Sequence, residues 1–253
     1  MISRRWSFKE TRLLIKTESE KAVRAAIDAA MRARREIERY ALLYPEFRYS
    51  LEPVSVRSSE LPRIIALMLR AGEIAGVGPF ASVAGAIAQV ALEASRRTGA
   101  SNVLIENGGD IALDGKREFS VGIFAGDSPL SGRIGFLMGP RDTPAGICTS
   151  AGTVGPSLNF GWADAVVVVA DEASISDAAA TSISNEVRGE DVENAIGIGL
   201  DRAKEIPEIR GCLIVFGGMV GTVGKLPRLT LVQGGEQKVF RPKMGLDYLD
   251  GWL

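Results

Sequence analysis

The chain has 253 residues, of which 46% are hydrophobic and 24% are charged, and its formal net charge is −1. This ordinary globular balance gives no electrostatic case for binding nucleic acid or an anionic membrane, and no apolar run of about 18 residues predicts a membrane span. Histidine is absent, which excludes Ser-His and Cys-His catalysis and histidine-bearing zinc sites. The two cysteines form no CxxC pair, which indicates a reducing compartment. No signal-peptide pattern follows Met1, so we expect a cytoplasmic protein.

The first predicted element is a strand or hairpin over residues 4–16, and five helices are predicted after it. In the first helix, apolar side chains recur at helical spacing, and Pro45 ends it. Ser59 is the expected cap of the second helix, with Pro62 in its first turn. The predicted helices cover residues 19–43, 59–71, 76–99 with a glycine-led turn at the start, 176–187 and 190–204.

Short apolar runs separated by turn residues predict the remaining strands. Their order, with several consecutive strands between groups of helices, favours an α+β fold with mostly antiparallel sheets rather than a doubly wound parallel fold. We expect a single domain over residues 1–253, built from two intertwined halves, with residues 233–253 as a C-terminal tail. The predicted extended segments are 47–54, 102–106, 111–113, 119–125, 133–138, 146–150, 163–170, 212–216, 220–223 and 229–232.

A first candidate segment for chemistry is the glycine-led turn around Gly78. Glycines before a helix expose backbone amides, and the helix N-terminus carries partial positive charge, so the turn suits a phosphate or another anion. The alternative is a simple turn that allows close packing between helix and sheet.

A second segment is the turn Glu106-Asn107-Gly108-Gly109-Asp110. Asn-Gly is a strong signal for a tight hairpin turn, which is the alternative to a functional interpretation. As a site, Asp110 or Glu106 would hydrogen-bond the ring nitrogens or hydroxyls of a ligand. Gly108 and Gly109 would let the backbone contact a flat ring.

A third segment combines a polar loop with the start of a helix. Ser150, Gly152 and Thr153 offer hydroxyls and amides to a ligand, and Asp177 and Thr181 lie at i and i+4 on one helix face. A carboxylate with a hydroxyl suits a hard cation such as Mg²⁺. The alternative is a capped helix with Asp177 as a first-turn charge and Thr181 packed inside.

Cys148 lies beside these polar residues. As a nucleophile it would need a lysine, a metal or a helix dipole to activate it, and the alternative is a buried structural thiol. Cys212 lies in an apolar strand and is expected in the core.

Four ordered segments, GVGPFASVAGAIA, ENGGDIAL, GICTSAGTVGPSLNFGWADAVVVVA and SDAAATSISNEV, resemble the ApbE-like superfamily, in particular its short, soluble branch. The resemblance covers about residues 8–231. It implies two related α+β halves of the T-fold type and an Mg²⁺-dependent transferase that splits FAD and places FMN on a target protein. It implies a metal at Asp177, Thr181 and the carbonyl of Ala81, and it puts the Gly108–Asp110 turn near the flavin.

Some positions depart from the ApbE pattern. Ser82 stands where the transferases have a lysine, and Gly155-Pro156-Ser157 stands where similar chains have Gly-His-Ser. The histidine element of the transferases and their early acidic, serine-bearing segment are missing. These departures put the flavin cradle in question more than the metal pair.

Three functions are open at this point. The first is a cytoplasmic, Mg²⁺-dependent protein that acts on FAD, FMN or a related dinucleotide phosphate. The second is a non-catalytic flavin- or nucleotide-binding protein, and the third, which follows from the resemblance, is a factor in sulfur assimilation with Cys148 as a sulfur carrier. We expect a small-molecule phosphate or flavin as partner, no nucleic acid and no membrane, and a homo-oligomer stays open.

Overall fold

A computed structural model describes residues 1–56, 60–152 and 160–231 of the chain. A short 3-10 helix at Pro79–Ser82 precedes α4. The helices are α1 (Glu20–Leu43), α2 (Pro45–Tyr49), α3 (Arg63–Ala75), α4 (Val83–Arg97), α5 (Ala173–Glu186) and α6 (Val192–Glu205). The strands are β1 (Ile2–Phe8), β2 (Thr11–Thr17), β3 (Val103–Asn107), β4 (Asp110–Asp114), β5 (Phe119–Gly122), β6 (Ile134–Met138), β7 (Ala145–Ser150), β8 (Ala165–Ala170), β9 (Ile209–Phe216), β10 (Met219–Gly224) and β11 (Arg228–Leu231).

Two antiparallel sheets organise these strands. Eight strands pair in the order β1-β2-β3-β4-β7-β8-β9-β10, and three pair in the order β11-β6-β5. Every strand pair in the described residues is antiparallel. The predicted α+β class with antiparallel sheets flanked by helices is therefore confirmed. The relation of two T-fold-type halves and the single domain over residues 1–253 stay predictions, and residues 233–253 lie outside the described part of the chain.

The larger sheet is buried on both faces in its inner strands, and alternation along β8 shows how. Val166 and Val168 pack in a core formed with the helices. Val167 and Val169, between and after them, pack in a core formed with the small sheet. Successive residues of a strand point to opposite faces, so an unbroken valine run is what a strand between two layers requires. The molecule thus has a helical layer, a central sheet and a three-stranded outer layer.

Small residues bring α5 very close to its neighbours. A Cβ atom added to Gly85 of α4 would lie 2.3 Å from the carbonyl oxygen of Ala173. One added to Gly146 of β7 would lie 2.3 Å from the Cα atom of Ala173. The first turn of α5 is therefore wedged between α4 and the sheet, and this contact positions the candidate site.

Two predicted elements differ from the observed ones. Phe47 lies in α2 rather than in an extended segment, because Pro45 ends α1 and is also the first residue of the next short helix, a position that tolerates proline. The second long helix begins at Arg63 with Pro62 as its N-cap, and its predicted cap, Ser59, lies outside the described residues.

Within the described residues, no single helix is long and apolar enough to cross a membrane. The pair Arg63–Ala75 and Pro79–Arg97 has the length and composition for it but bends by 106°. In this structure both members contribute buried side chains to the cores.

Candidate functional site

The three candidate segments meet at the N-terminus of α4. Asp177 of α5 accepts a hydrogen bond from the amide of Gly85 through Oδ2, at 2.8 Å. Asn107, at the end of β3, donates from Nδ2 to the carbonyl oxygen of Ala84 at 3.1 Å. Asp110, which pairs with Asn107 across the hairpin, lies close enough to Asp177 for the charge of Asp177 to raise the pKa of Asp110. The fold therefore brings the glycine-led helix, the Gly-Gly hairpin and the start of α5 together.

Asp110 and Asp177 form a buried carboxyl pair, which we call the Asp110–Asp177 pair. Asp110 is only 8% exposed, and its Oδ1 atom has no hydrogen-bond partner among the described residues. Burial, followed by the charge of Asp177, raises the pKa of Asp110 well above its ordinary value, against the effect of hydrogen bonds from Cys148 and Thr149. Burial raises the pKa of Asp177 to about 7, although the amides of Gly85 and Ala84 favour its ionised form. The hydrogen-bond donors of these two buried acids are neutral, so they do not compensate the negative charge that the acids carry when ionised.

Asp177 also serves the local structure. Its carboxyl group accepts hydrogen bonds from the amides of Ala84 and Gly85, the second and third residues of α4, and it lies at the positive end of that helix. The predicted alternative, a charge in the first turn of its own helix, is wrong, because α5 begins at Ala173 and has no acidic residue in its first turn. The helix end that Asp177 contacts belongs to α4.

The other two predicted metal ligands lie on α5 and in the 3-10 helix that contacts it. Thr181 is buried one turn later on the same face of α5. Ala81 lies in the 3-10 helix, where its amide donates to the carbonyl of Gly78 at 3.1 Å. Among the described residues, no group of three His, Cys, Asp or Glu side chains could hold a metal ion. A cation at this site would therefore need hydroxyl or carbonyl oxygens, water or a ligand's phosphate as well as the carboxyl groups.

Gly78 does not have the role that was predicted for its amide. That amide donates to the carbonyl of Leu51 at 2.9 Å, and a Cβ at this position would lie 1.8 Å from the carbonyl oxygen of Ser50. Gly78 is therefore a packing glycine, and its amide is not available to a phosphate. Ser82, where the resemblance has lysine, is buried and donates to the carbonyl of Pro79 at 2.9 Å, so it supplies no positive charge.

The Gly108–Gly109 turn is the tight hairpin turn that Asn-Gly signals. Both glycines have positive φ, at 67° and 106°, and they join the paired residues Asn107 and Asp110. Added Cβ atoms would meet nothing within 4 Å. The turn conformation therefore explains both glycines, and the space above them is open.

Glu106 and Asp110 point to opposite faces of the sheet. Glu106 pairs with Ile111, whose side chain packs with the small sheet, whereas the neighbouring Asn107 reaches α4. Glu106 is 6% exposed and accepts from the amide of Gly109 at 3.0 Å. Burial raises its pKa to about 7. Of the two predicted acids, only Asp110 lies at the site.

The predicted polar loop is only partly described. Ser150 is half-buried and pairs with Val166 at the end of β7, and Thr153 lies outside the described residues. The amide of Gly152 donates to Ala163 at 3.0 Å, and an added Cβ would lie 1.8 Å from the carbonyl oxygen of Gly161. Gly152 is thus a second packing glycine whose amide is already bonded.

Cys148 is fully buried against the Asp110–Asp177 pair. Its sulfur lies 3.3 Å from the carbonyl oxygen of Ala173 and within hydrogen-bond reach of Asp110, and the single thiol proton serves one of them at a time. Burial and the two neighbouring acids raise the pKa of Cys148 well above its ordinary value. Cys212 is buried in β9, as expected. Both environments favour neutral, unreactive thiols.

Sequence reasoning missed the part that Asn107 takes in the site. Its Oδ1 accepts from the amide of Arg12 at 3.2 Å, while its Nδ2 holds the carbonyl of Ala84, so it ties β2 to the first turn of α4. The only signal in the sequence was an amide side chain before Gly-Gly, which the turn alone already explains.

A cavity of about 560 Å³ opens between the residues that follow α3 and the helices α5 and α6. Ser182 and Asn185 line it, and they follow Thr181 along α5. Its one basic side chain in the described lining, Arg202, is engaged by Ser182, by Glu205 and by the carbonyl of Ala75. Three acidic side chains also line the cavity, namely Glu186, Asp201 and Glu205. Because they outnumber Arg202, we expect no anion in this cavity.

Comparison with known proteins agrees with this architecture. The model of the family described as AbpE bacteria matches residues 3–206, and the chain therefore belongs to that family. The UPF0280 protein of Methanococcus aeolicus is 42% identical over 99% of both chains. The UPF0280 protein of Methanothermobacter thermautotrophicus is 50% identical over 74% of this chain and 72% of its own.

Solved structures of ApbE proteins share the fold. The ApbE protein of Thermotoga maritima has a TM-score of 0.56 at 14% identity, covering 87% of this chain and 96% of its own. The flavinyl transferase ApbE of Pseudomonas stutzeri has a TM-score of 0.54 at 11% identity, covering 88% and 93%. The resemblance to the ApbE-like superfamily is confirmed. At these sequence identities, similarity to the solved structures shows only that the fold is shared.

Proposed function

We propose that the chain binds the phosphate groups of FAD, FMN or a related dinucleotide together with Mg²⁺ at the Asp110–Asp177 pair. The observation that carries this proposal is the buried Oδ1 atom of Asp110, which has no partner within the described part of the chain and whose carboxyl group is affected by the charge of a second buried acid. A divalent cation between the two would keep both carboxyl groups ionised and would use the free oxygen. The flavin comes from the relatives, since solved proteins of this fold are named flavin transferases.

The site residues have separate roles in this proposal. Asp110 and Asp177 hold the cation, with the hydroxyl of Thr181 and the carbonyl of Ala81 as further oxygen donors. When bound, Mg²⁺ supplies charge neutralisation at a phosphoryl oxygen, which is the main requirement of phosphoryl transfer. Asn107 holds the hairpin against α4 and so keeps Asp110 in place. The open space at Gly108 and Gly109 leaves room for the ligand.

Binding is better supported than transfer. Ser82 contributes no charge where the resemblance expects lysine, and no histidine is available as a general base. These two departures favour the second candidate, a non-catalytic protein that binds flavin or nucleotide. The sulfur-carrier hypothesis is less favoured, because Cys148 is fully buried and its pKa is raised.

Calorimetric titration with FAD, with and without Mg²⁺, tests the proposal. We expect Mg²⁺-dependent binding that Asp177→Asn and Asp110→Asn each weaken at least about tenfold, since a lost contact with a charged group is worth about 1.5–3 kcal/mol. Asp28→Asn, at an exposed position of α1, is the matched control and should bind as the unmodified chain does. AMP release from FAD distinguishes transfer or hydrolysis from binding alone.

Loss of binding in the Asp110→Asn variant can be distinguished from loss of folding. Replacing the buried acid Asp110 by a neutral amide removes a desolvated charge, so we expect Asp110→Asn to unfold at the same or a higher urea concentration. The proposal is wrong if FAD does not bind, or if both variants bind it as tightly as the unmodified chain.

A further inference from the structure

Two large aromatic side chains are half-exposed beside the end of α5. Phe160 is 48% exposed and Trp162 is 51% exposed, and only one residue separates them. Aromatic side chains of this size usually lie inside a protein or in an interface, because each can bury roughly 150–250 Å². A pair of them in three residues indicates a surface that contacts something.

The backbone that carries these rings is held firmly against α5. The amide of Phe160 donates to Oδ1 of Asn185 at 2.9 Å, and the amide of Trp162 donates to the carbonyl of Val187 at 2.8 Å. Between them, a Cβ atom added to Gly161 would lie 1.7 Å from the carbonyl oxygen of Ser184. Position 161 therefore faces the helix at close contact, and the two rings extend from a fixed backbone.

The backbone that carries the rings contacts one end of the helix on which Asp177 lies. Asp177, Thr181 and Asn185 follow one another at four-residue spacing and so share one side of the helix. At 1.5 Å per residue, Asn185 is about 12 Å along the axis from Asp177. The backbone amide of Phe160 bonds to Asn185, the member of this row farthest from the Asp110–Asp177 pair.

We propose that Phe160 and Trp162 stack on the planar ring of the nucleotide whose phosphates lie at the Asp110–Asp177 pair. This inference rests on the proposed function and adds the ring subsite to it. A dinucleotide is long enough for its phosphates to lie at one end of this helix face and a ring at the other. Aromatic faces bind flat heterocycles with little dependence on the pattern of hydrogen-bonding groups.

The neighbourhood of Phe160 favours a ring over an aliphatic partner. The guanidinium group of Arg188 lies 6.0 Å from the centroid of the Phe160 ring, so a cation already stands at that aromatic face. A planar heterocycle can stack with a guanidinium group as well as with an aromatic ring, whereas an aliphatic surface would desolvate the charge without compensation.

Two probes and matched variants test the ring subsite. Phe160→Leu and Trp162→Leu keep an apolar side chain but remove the aromatic face, and Phe8→Leu, in edge strand β1, is the control at another half-exposed aromatic position. The probes are FAD and inorganic pyrophosphate, each titrated with Mg²⁺. Since stacking on one side chain is worth about 5- to 150-fold in affinity, we expect the first two variants to bind FAD more weakly by a factor in this range. Pyrophosphate should bind all three as it binds the unmodified chain.

The outcomes separate the ring subsite from the metal and phosphate site. If Phe160→Leu and Trp162→Leu bind FAD normally while Asp177→Asn does not, the ring subsite is wrong and the proposed function stands. If Phe160→Leu and Trp162→Leu weaken the binding of pyrophosphate as much as that of FAD, the two side chains support the fold of the site and do not stack on the ligand. That result also overturns the inference. If the unmodified chain binds neither FAD nor pyrophosphate, both the ring subsite and the proposed function are wrong. A change of oligomeric state in the two ring variants, measured by size-exclusion chromatography, would assign the rings to a contact between copies and overturn the subsite.

Discussion

Glu106 gives the most direct test of how burial controls the acids of this protein. It lies on the face of the sheet opposite Asp110, accepts from the amide of Gly109 and is almost completely buried. Desolvation is the largest cause of its raised pKa, and Arg5 and Lys16 oppose it. Replacing it by glutamine keeps an oxygen acceptor for Gly109 and removes the charge.

The sign of the effect follows from proton linkage. The pKa of Glu106 rises from 4.5 to about 7 on folding, so between these two pH values the folded chain binds a proton that the unfolded chain has released. Stability from this group is therefore fully present below about pH 4.5 and is lost as the pH rises through about 7. At about 1.4 kcal/mol for each pH unit between the two values, the loss is on the order of 3 kcal/mol.

Urea denaturation at several pH values measures this. We expect Glu106→Gln to match the unmodified chain near pH 4.5 and to exceed it by about 2–3 kcal/mol in free energy of unfolding at pH 8. Glu36→Gln, at an exposed position of α1, is the control and should stay within about 0.5 kcal/mol at every pH. The reasoning is refuted if Glu106→Gln is less stable than the unmodified chain at pH 8, or if the two profiles run parallel.

Two further predictions concern packing and thiol reactivity. Gly85→Ala would place a Cβ 2.3 Å from the Ala173 carbonyl oxygen and should lower the free energy of unfolding by about 1–3 kcal/mol. Gly197→Ala, in α6 with nothing within 4 Å of the added atom, should raise it by about 0.5–1 kcal/mol; equal effects of both in urea denaturation would contradict the close contact of α4 and α5. The two cysteines should not react with an aromatic disulfide reagent at pH 7 until urea unfolds the chain, because both are buried and their pKa values are raised by burial; rapid labelling of the native protein would revive Cys148 as a sulfur carrier.

Much of the fold could be predicted from local sequence patterns. The long amphipathic helix after Ser19 appears as α1, and Ser19 caps it by accepting from the amide of Ala22. The consecutive apolar runs with turn residues between them appear as antiparallel strands. These elements depend on periodicity, capping and turn chemistry, all of which lie within a few residues of each other. Pro45 shows the limit, because a proline that ends one helix can also begin the next.

The candidate site could be predicted only in part. The sequence singled out Asp110 and Asp177 as acids in small-residue segments, and the ordered motifs indicated the ApbE-like family. The sequence could not show which of Glu106 and Asp110 lies at the site. Their side chains lie on opposite faces of the sheet, and a shift of one residue along a strand moves a side chain from one face to the other. The sequence assigned ligand roles to the amides of Gly78 and Gly152, whose actual partners are carbonyls of Leu51 and Ala163.

The sequence by itself therefore determined the elements, their antiparallel order and the residues with useful chemistry, since each depends on neighbours along the chain. Only the tertiary structure decided that Asp110 and Asp177 form a buried pair in which one oxygen has no partner in the part of the chain that the structure describes. Solvation, pKa and hydrogen-bond partners are set by groups that meet across the fold. Here the meeting depends on Gly85 and Gly146, which let α5 approach α4 and the sheet closely enough to bury both acids.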